Sequence, residues 1–522
     1  MVDLVVHGGT ILTQAADGPM AGALAIRDGR IAAVGDAHQV LPLAGPATRR
    51  LDLGGRTLIP AFNDAHAHIW KIGHLLTGMI DLRRVDGLGS LAARLREAAG
   101  KRPGDRWLLG RGWNEANLGE GRGPTRDDLD RAVADRPVVL TRTCGHIYAC
   151  NSRALEVAGI GPDTESPTGG VIDRGADGVA TGVLRETAMG LVNTAMPAPT
   201  NNDYAAMITA GLRHQLTRGI ASTTDAGVAP PLLDAYRWLD AEGRLPCRVN
   251  VMASRVVDGV GPVPLPAKSR ADFLRMDTVK FLADGGLSGA TAALSVPYRH
   301  TDSRGVLRFE SSVLLELCRQ AHRDGWRIAT HAIGDVTIEQ VLEVYEALGP
   351  GPVRHRIEHL GLPRPRQLER LAGLGVIAVP QSVFLHELGR NFRACLPDRL
   401  VAEAYPIRGM IDAGLTVALS SDAPVVEDDS PLRGIQSAVD RLDDSGVAIG
   451  PDQSISPAEA LAAYTMGGAI ASGDEANRGS LAVGKWADMV VLSANPLGVP
   501  TDAIASIAVD QTFLAGQLVF ER

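Results

Sequence analysis

Short apolar runs broken by glycine turns open the chain. DLVVHGGTILT, GALAIRDGRIAAVG and TRRLDLGGRTLIP each read as strand and turn, and the far end, GSLAVGKWADMVVLSANP followed by IAVDQTFLAGQLVFE, has the same texture. Chain ends often lie close together in a folded domain. The pattern therefore predicts a composite β-sandwich domain assembled from residues 1–58 and 476–522.

Between the ends the pattern changes. Apolar strands that finish in polar residues alternate with amphipathic helical stretches: LIPAFNDAHAH, ASTTDAG, CRVNVMAS, TVKFLADG, RIATHAIGD, RHRIEHL, VIAVPQS and TVALSSDAP. Helical stretches such as NDYAAMITAGLRHQLTRG, ESSVLLELCRQAHRDG and DVTIEQVLEVYEALG separate them. Eight strands with intervening helices predict an α/β fold, a TIM-like (β/α)8 barrel, over residues 59–74 and 201–475. Residues 75–200 are too long for one loop. They read as a subdomain inserted after the first strand, on the side where strand C-termini lie, capping any site there.

Composition narrows the class. Of 522 residues, 45% are hydrophobic and 21% charged, and the formal net charge is −8, so no basic field invites nucleic acid. Clusters such as Arg49–Arg50 and Arg83–Arg84 are short enough to be solvated surface. No apolar run is long enough to span a membrane, and the N-terminus lacks the basic region of a signal peptide. Five scattered cysteines without a Cys-x-x-Cys pair argue against a disulfide framework or a thiolate zinc site and suit the cytoplasm. GGLSGAT and HGGT lack the full pattern of a phosphate-binding loop. Neither Asn151–Ser152 nor Ser420–Ser421 sits in a nucleophile elbow.

The chemistry gathers at the strand ends. Asp64, His66 and His68 fall in NDAHAH, and residues two apart in a strand share a face. A His-x-His pair alone is weak. It gains weight because His331, His359 and Asp422 end three other predicted strands, with Lys280 inside TVKFLADG. Several nitrogen and oxygen ligands around an open position are what a hydrolytic metal site requires. Zn²⁺ is the default ion for such donors, with Mn²⁺ or Fe²⁺ as alternatives, one or two per chain.

This arrangement resembles the amidohydrolase superfamily, and more narrowly its YtcJ-like branch, amidohydrolase family 3, which includes N-substituted formamide deformylases. The segments that carry the resemblance are PAFNDAHAH, GHIYACNSRAL, TGGVIDRGADGVATGVLRE, GIASTTDAG, VKFLADGG, THAIGD, RIEHL, SSDAPV, SPAEALAAYT and GSLAVGKWADMVVL, in family order. Ala61 stands where such proteins usually carry glycine, and His300 where an aspartate is expected.

The resemblance implies His66, His68 and Asp422 on one metal, His331 and His359 on a second, and a carboxylated Lys280 bridging them. The alternatives are a single metal, with Lys280 in an ion pair with Asp284. It further implies hydrolysis of a small-molecule amide, an N-substituted formamide or N-acyl amine, with Asp422 shuttling a proton to the leaving amine. His146, in the segment resembling the family's GH…NS motif, is a candidate catalytic or substrate-orienting residue. Asp225, Trp113, Tyr298 and Phe384 are candidate substrate contacts, each weighed against ordinary loop hydrogen bonding or packing. The remaining histidines (His7, His38, His74, His214, His300, His322, His355 and His386) read as structural or surface. Deamination of a heterocycle or amidine, and a regulatory protein that keeps the fold without turnover, are the competing functions. A homodimer is the base-rate expectation.

Overall fold

The computed structural model describes residues 2–16, 18–101, 104 and 106–522. Its centre is a curled sheet of eight parallel strands, numbered here β1 (Phe62–Ala67), β2 (Ile220–Val228), β3 (Arg248–Ser254), β4 (Leu274–Leu282), β5 (Arg327–Ala332), β6 (Arg356–His359), β7 (Ile377–Val379) and β8 (Thr416–Val417). They lie in chain order, each paired with the next, and a two-residue strand, Ser269–Arg270, adds to β4 antiparallel. Residues of β1, β5, β6 and β7 are all buried, as expected of parallel strands covered on both faces.

β8 is short because its continuation finds other partners. Ala418 N–H donates to Ala378 O (2.9 Å) and Leu419 N–H to Ala463 O (3.2 Å). The next residues turn back to β1: Asp422 N–H donates to His66 O (2.7 Å) and His68 N–H to Ala423 O (2.8 Å). The two edges of the curled sheet thus meet at their C-terminal ends.

The predicted helices are present as Asn201–Thr217, Ser311–Arg323 and Asp335–Leu348. The first begins with a capping box, in which Asp203 N–H donates to Thr200 Oγ1 (3.2 Å) and Thr200 N–H to Asp203 Oδ2 (2.8 Å). It lies against the helix Ile69–Thr77, and two glycines set the spacing. A Cβ on Gly73 would stand 1.7 Å from Met207 O, and one on Gly211 2.2 Å from Ile69 O. Only hydrogen fits at either position, so the helix that follows His68 is held tightly on the barrel wall.

The two ends of the chain do come together. Their strands run Gln517–Glu521, Val509–Leu514, Met489–Leu492, Thr57–Pro60, Leu4–Leu12, Met20–Arg27 and Arg30–Gly35, with Arg49–Asp52 joining Leu4–Leu12 in parallel. Where the pattern suggested a sandwich, the hydrogen bonding makes one continuous eight-stranded sheet. Thr57–Pro60 stitches it, pairing with Leu4–Leu12 on one side and Met489–Leu492 on the other. Arg248 of β3 clasps Asp488 of this sheet through two bonds of 2.7 and 3.2 Å, both side chains buried.

Residues between β1 and β2 form a six-stranded sheet in the order Gly170–Arg174, Ala180–Glu186, Ile147–Cys150, Val138–Arg142, Leu108–Trp113 and Ile80–Asp81. It reaches the C-terminal ends of the barrel strands through polar contacts. Arg142 donates to Ser288 Oγ and O, Thr143 Oγ1 donates to Val425 O (2.6 Å), and Asn114 and Asn391 exchange two amide bonds of 3.0 Å. No helix among the described residues is long and apolar enough to cross a membrane. All five cysteines are free thiols.

Candidate metal centre

His66 and His68 project from the end of β1 with their Nε2 atoms 3.4 and 3.2 Å from Asp422 Oδ1. The three donor atoms lie within 4.8 Å of one another. The zipper between β1 and β8 makes this meeting. Asp64, two residues before His66, accepts from His66 N–H and Ser421 N–H (both 3.1 Å) and from Ser421 Oγ (2.5 Å). Burial pushes the Asp64 carboxyl up to about 7 against these hydrogen bonds. Asp422 and His359 both take the left-handed backbone conformation, with φ of 55° and 73°. Non-glycine residues seldom adopt it, and such strain concentrates at functional sites.

The histidines continue as an arc of rings. Centroids are 5.6 Å apart for His68 and His66, 4.9 Å for His66 and His359, 4.4 Å for His359 and His331, and 5.5 Å for His331 and His146. Each of the four barrel imidazoles has one nitrogen held by the protein. His66 Nδ1 meets Glu358 Oε2 (2.5 Å), His68 Nδ1 meets Ala226 O (2.8 Å), His359 Nδ1 meets Gln381 Oε1 (2.7 Å) and His331 Nε2 meets Gly285 O (3.1 Å). When each held nitrogen carries the proton, the other keeps its lone pair for a metal. Burial favours the neutral ring throughout. It brings His68 down to about 4 and His359 to about 3, and holds His66 and His331 well below their ordinary value. Asp422 is kept well below the usual carboxylate range: burial opposes this, but the His68 hydrogen bond and the neighbouring histidines outweigh it. Neutral imidazoles beside an ionised carboxylate are the protonation states that a divalent cation binds.

Two buried side chains, Lys280 and Asp422, support this fit. Among the described residues Lys280 Nζ has no hydrogen-bond partner, and Asp422 Oδ1 is met only by the Nε2 atoms of His66 and His68, the atoms that would turn to a cation. Lys280 lies within the electrostatic reach of all four barrel histidines, and burial lowers its amine to about 8. The ion pair of Lys280 with Asp284 does not form. Asp284 instead accepts from Ala293 N–H (3.1 Å), Ile333 N–H (3.1 Å), Gly334 N–H (2.9 Å) and Thr337 Oγ1 (2.8 Å), anchoring the start of the helix after β5. Among the described residues His66, His68 and Asp422 form the one cluster of three His, Cys, Asp or Glu donors. His331 and His359 adjoin it and would need Lys280 to complete a second set.

The other candidates divide. His146 hangs from the inserted sheet beside His331, its Nδ1 2.8 Å from Glu186 Oε2. Burial alone would depress it, but the Glu186 carboxylate prevails and raises it to about 9. Phe384 stacks on His359 at 6.4 Å and 12°, at the edge of the centre. Three residues weighed as substrate contacts against loop hydrogen bonding or packing have their polar groups engaged within the protein. Asp225 is fully buried, with Oδ1 accepting from Ile69 N–H (3.1 Å) and Oδ2 from Tyr236 O–H (2.6 Å), so it braces the helix after β1. Trp113 packs inside the inserted sheet, its indole N–H donating to Leu140 O (3.2 Å). Tyr298 is buried with its hydroxyl donating to Ala292 O (2.8 Å). Their burial satisfies them internally, which strand-end position and aromatic character do not reveal. Ala61 is buried at the entry to β1, and His300 is exposed.

Sequence reasoning missed Glu358 and Gln381, which orient His66 and His359. Glu358 is fully buried and gripped by Arg356 through Nε to Oε1 (2.5 Å) and Nη2 to Oε2 (2.8 Å). The signal was available in RIEHL, where residues 356 and 358 share a strand face one residue before the histidine. Glu186, partner of His146, was likewise inside a quoted segment without a role.

A curled parallel sheet with neutral imidazoles and a carboxylate converging at its C-terminal rim is suited to hold a divalent cation. The chain belongs to the amidohydrolase family, whose pattern matches residues 49–520. It is 32% identical to the YtcJ protein of Bacillus subtilis (strain 168), covering 99% of each chain. It is 29% identical to the N-substituted formamide deformylase of Arthrobacter pascens, covering 100% of this chain and 99% of that one. The crystal structure of an uncharacterized metal-dependent hydrolase from Pyrococcus horikoshii OT3 superposes with a TM-score of 0.77 at 27% identity, covering 96% of this chain and 99% of that one.

Proposed function

We propose that the protein is a metal-dependent hydrolase that cleaves a non-peptide C–N bond, the amide of an N-substituted formamide or N-acyl amine. The convergence of His66, His68 and Asp422, with Lys280 Nζ buried and unpartnered beside them, carries this reading. Similarity to a formamide deformylase over the whole chain supports the substrate class. His66, His68 and Asp422 would hold one cation, and His331 and His359 a second, with Lys280 carboxylated between them. Zn²⁺ is the ion such donors favour. A bound divalent cation supplies a Lewis acid for the carbonyl and brings the pKa of water from about 16 to about 7.

The residues of the chain do the rest. Glu358, Gln381 and the carbonyls of Ala226 and Gly285 fix the imidazoles, so the donor atoms need no reorganisation. Asp422 takes the proton of the attacking water and returns it to the amine nitrogen as the C–N bond breaks, which matters because an unprotonated amine leaves poorly. His146, held by Glu186, presents a cationic ring above His331 and can donate to the substrate oxygen.

The test is metal content on protein purified without chelator, with N-alkylformamide and N-acyl amide hydrolysis on the same sample. About two ions per chain and chelator-sensitive turnover are expected. About one ion with turnover would remove the carboxylated lysine but keep the reaction. Ammonia release from heterocycles without amide cleavage would replace it with deamination. Metal-loaded protein inert to both panels would refute the enzymatic reading and leave a regulatory one.

A further inference from the structure

Among the described residues, two cations near the metal centre have no carboxylate partner. Lys71 is the third residue of the helix that starts directly after His68, and it is half-buried. Among the described residues its ammonium makes no hydrogen bond or ion pair, and the Trp70 ring lies 5.9 Å away. Arg111, in the strand Leu108–Trp113 of the inserted sheet, is 4% exposed. Among the described residues its single acceptor is Thr143 O at 3.3 Å, and its Nε has none. The guanidinium lies under the Gly145–His146 loop, since a Cβ on Gly145 would stand 3.4 Å from Nη2. That loop carries the ring that faces His331.

The two charges belong to one electrostatic neighbourhood. They repel each other, both are drawn to Asp422, and Lys71 acts on His68. The three carboxylates that act most strongly on Lys71 are engaged elsewhere. Asp422 faces His66 and His68, Asp225 is taken by Ile69 N–H and Tyr236 O–H, and Asp258 pairs with Arg308. Some buried arginines are matched by a carboxylate, as Arg142 is by Glu115, Arg248 by Asp488 and Arg356 by Glu358, while Arg255, Arg327 and Arg441 are held by carbonyl or amide oxygens of the protein. Burying a cation without a counter-charge is costly, and a divalent ion nearby would raise that cost. A ligand that brings its own negative charge removes it.

We propose that the substrate carries an anionic substituent, in the simplest case a carboxylate, that docks on Lys71 within the field of Arg111 while its amide lies over the metal centre. Lys71 is the reachable contact and Arg111 the charge behind it. This rests on the hydrolase reading and narrows its substrate to acidic amides.

The experiment uses zinc-loaded full-length protein and matched pairs differing only in charge. N-formyl ω-amino acids, from N-formylglycine to longer homologues, are compared with their methyl esters. N-methyl monoamides of dicarboxylic acids are compared with theirs, and one aminoalkylphosphonate series separates carboxylate from phosphonate recognition. Binding is read by calorimetry with hydrolysis-inert N-methanesulfonyl-β-alanine and its methyl ester. The wild type is expected to favour the charged member of the best pair by about 10- to 100-fold in both kcat/KM and Kd. Lys71→Met should cut that preference by about tenfold or more, and Lys71→Arg should restore most of it. No preference in the wild type, or a preference untouched by Lys71→Met, overturns the proposal. Uncharged amides turned over without preference would refute it while keeping the hydrolase. Carboxylate-selective binding with no amide turned over would uphold the anion site and sink the hydrolase reading.

Discussion

Glu358→Gln tests whether the centre depends on its supporting carboxylate. Glu358 Oε2 serves two donors, His66 Nδ1 at 2.5 Å and Arg356 Nη2 at 2.8 Å, while Oε1 takes Arg356 Nε at 2.5 Å. Glutamine has one oxygen. If it faces His66 and Nη2, its NH2 is driven against Arg356 Nε; if it faces Nε, the NH2 confronts the other two donors. Either choice leaves a buried donor without an acceptor and removes the charge that makes His66 a better ligand. Losing such a partner should weaken metal binding by about 10- to 100-fold, or ~1.4–2.8 kcal/mol. The metal-free fold should also suffer. Removing one member of a buried pair outright costs ~3–5 kcal/mol, but Arg356 keeps the carbonyls of Ala65 and Ala471, so about 2–3 kcal/mol is expected. Zinc competition against a chromophoric chelator measures the first quantity, and denaturant unfolding of the metal-free protein the second. Zinc affinity within twofold of wild type, with correctly folded protein, would refute the reasoning.

Asp422→Asn should keep the circular-dichroism spectrum and lower kcat by about 10²–10⁴-fold on any amide the wild type hydrolyses; near-native turnover would remove the proton shuttle. Glu186→Gln should return His146 toward or below its ordinary range, which ¹H–¹⁵N imidazole spectra read directly. The sign follows from linkage: the native pKa of about 9 lies above the unfolded 6.5, so the stabilisation is complete below pH 6.5 and is lost as pH rises through about 9. The stability gap between wild type and Glu186→Gln should therefore narrow across that window, and a constant gap would contradict the assignment. Asp488→Ala should cost about 3–5 kcal/mol by stranding Arg248 while leaving metal stoichiometry at the wild-type value; a loss of metal would mean that the terminal sheet shapes the centre directly.

The eight strands were legible because each is an apolar run ending in polar residues, a signature of parallel sheets buried on both faces. The donor set was legible because strand-end position and residue type coincide at His66, His68, His331, His359 and Asp422. Direction was harder to read. Asp225 also ends a strand, yet it turns to Tyr236 and the backbone of Ile69, and nothing local distinguishes it from Asp422. What separates them is the zipper from β8 to β1, a contact between residues more than 350 positions apart. Trp113 and Tyr298 were candidates for their aromatic character, but packing decided their place. Charges that cancel locally were overlooked: Arg356 and Glu358 neutralise each other two residues apart, which hides the group that orients His66.

The stitching of Thr57–Pro60 between the first and last strands governs the order in which the molecule can be completed. That segment leads into β1 and its two histidines, yet one flank waits for Met489–Leu492. A ribosome delivering the N-terminus first presents an open sheet edge until almost the whole chain has emerged. Closure is therefore a late, long-range event, and high sequence separation makes such events slow. Truncating or blocking the last strands would expose that edge while leaving every candidate ligand intact, so a chain with a complete set of metal donors could still be lost to aggregation during synthesis.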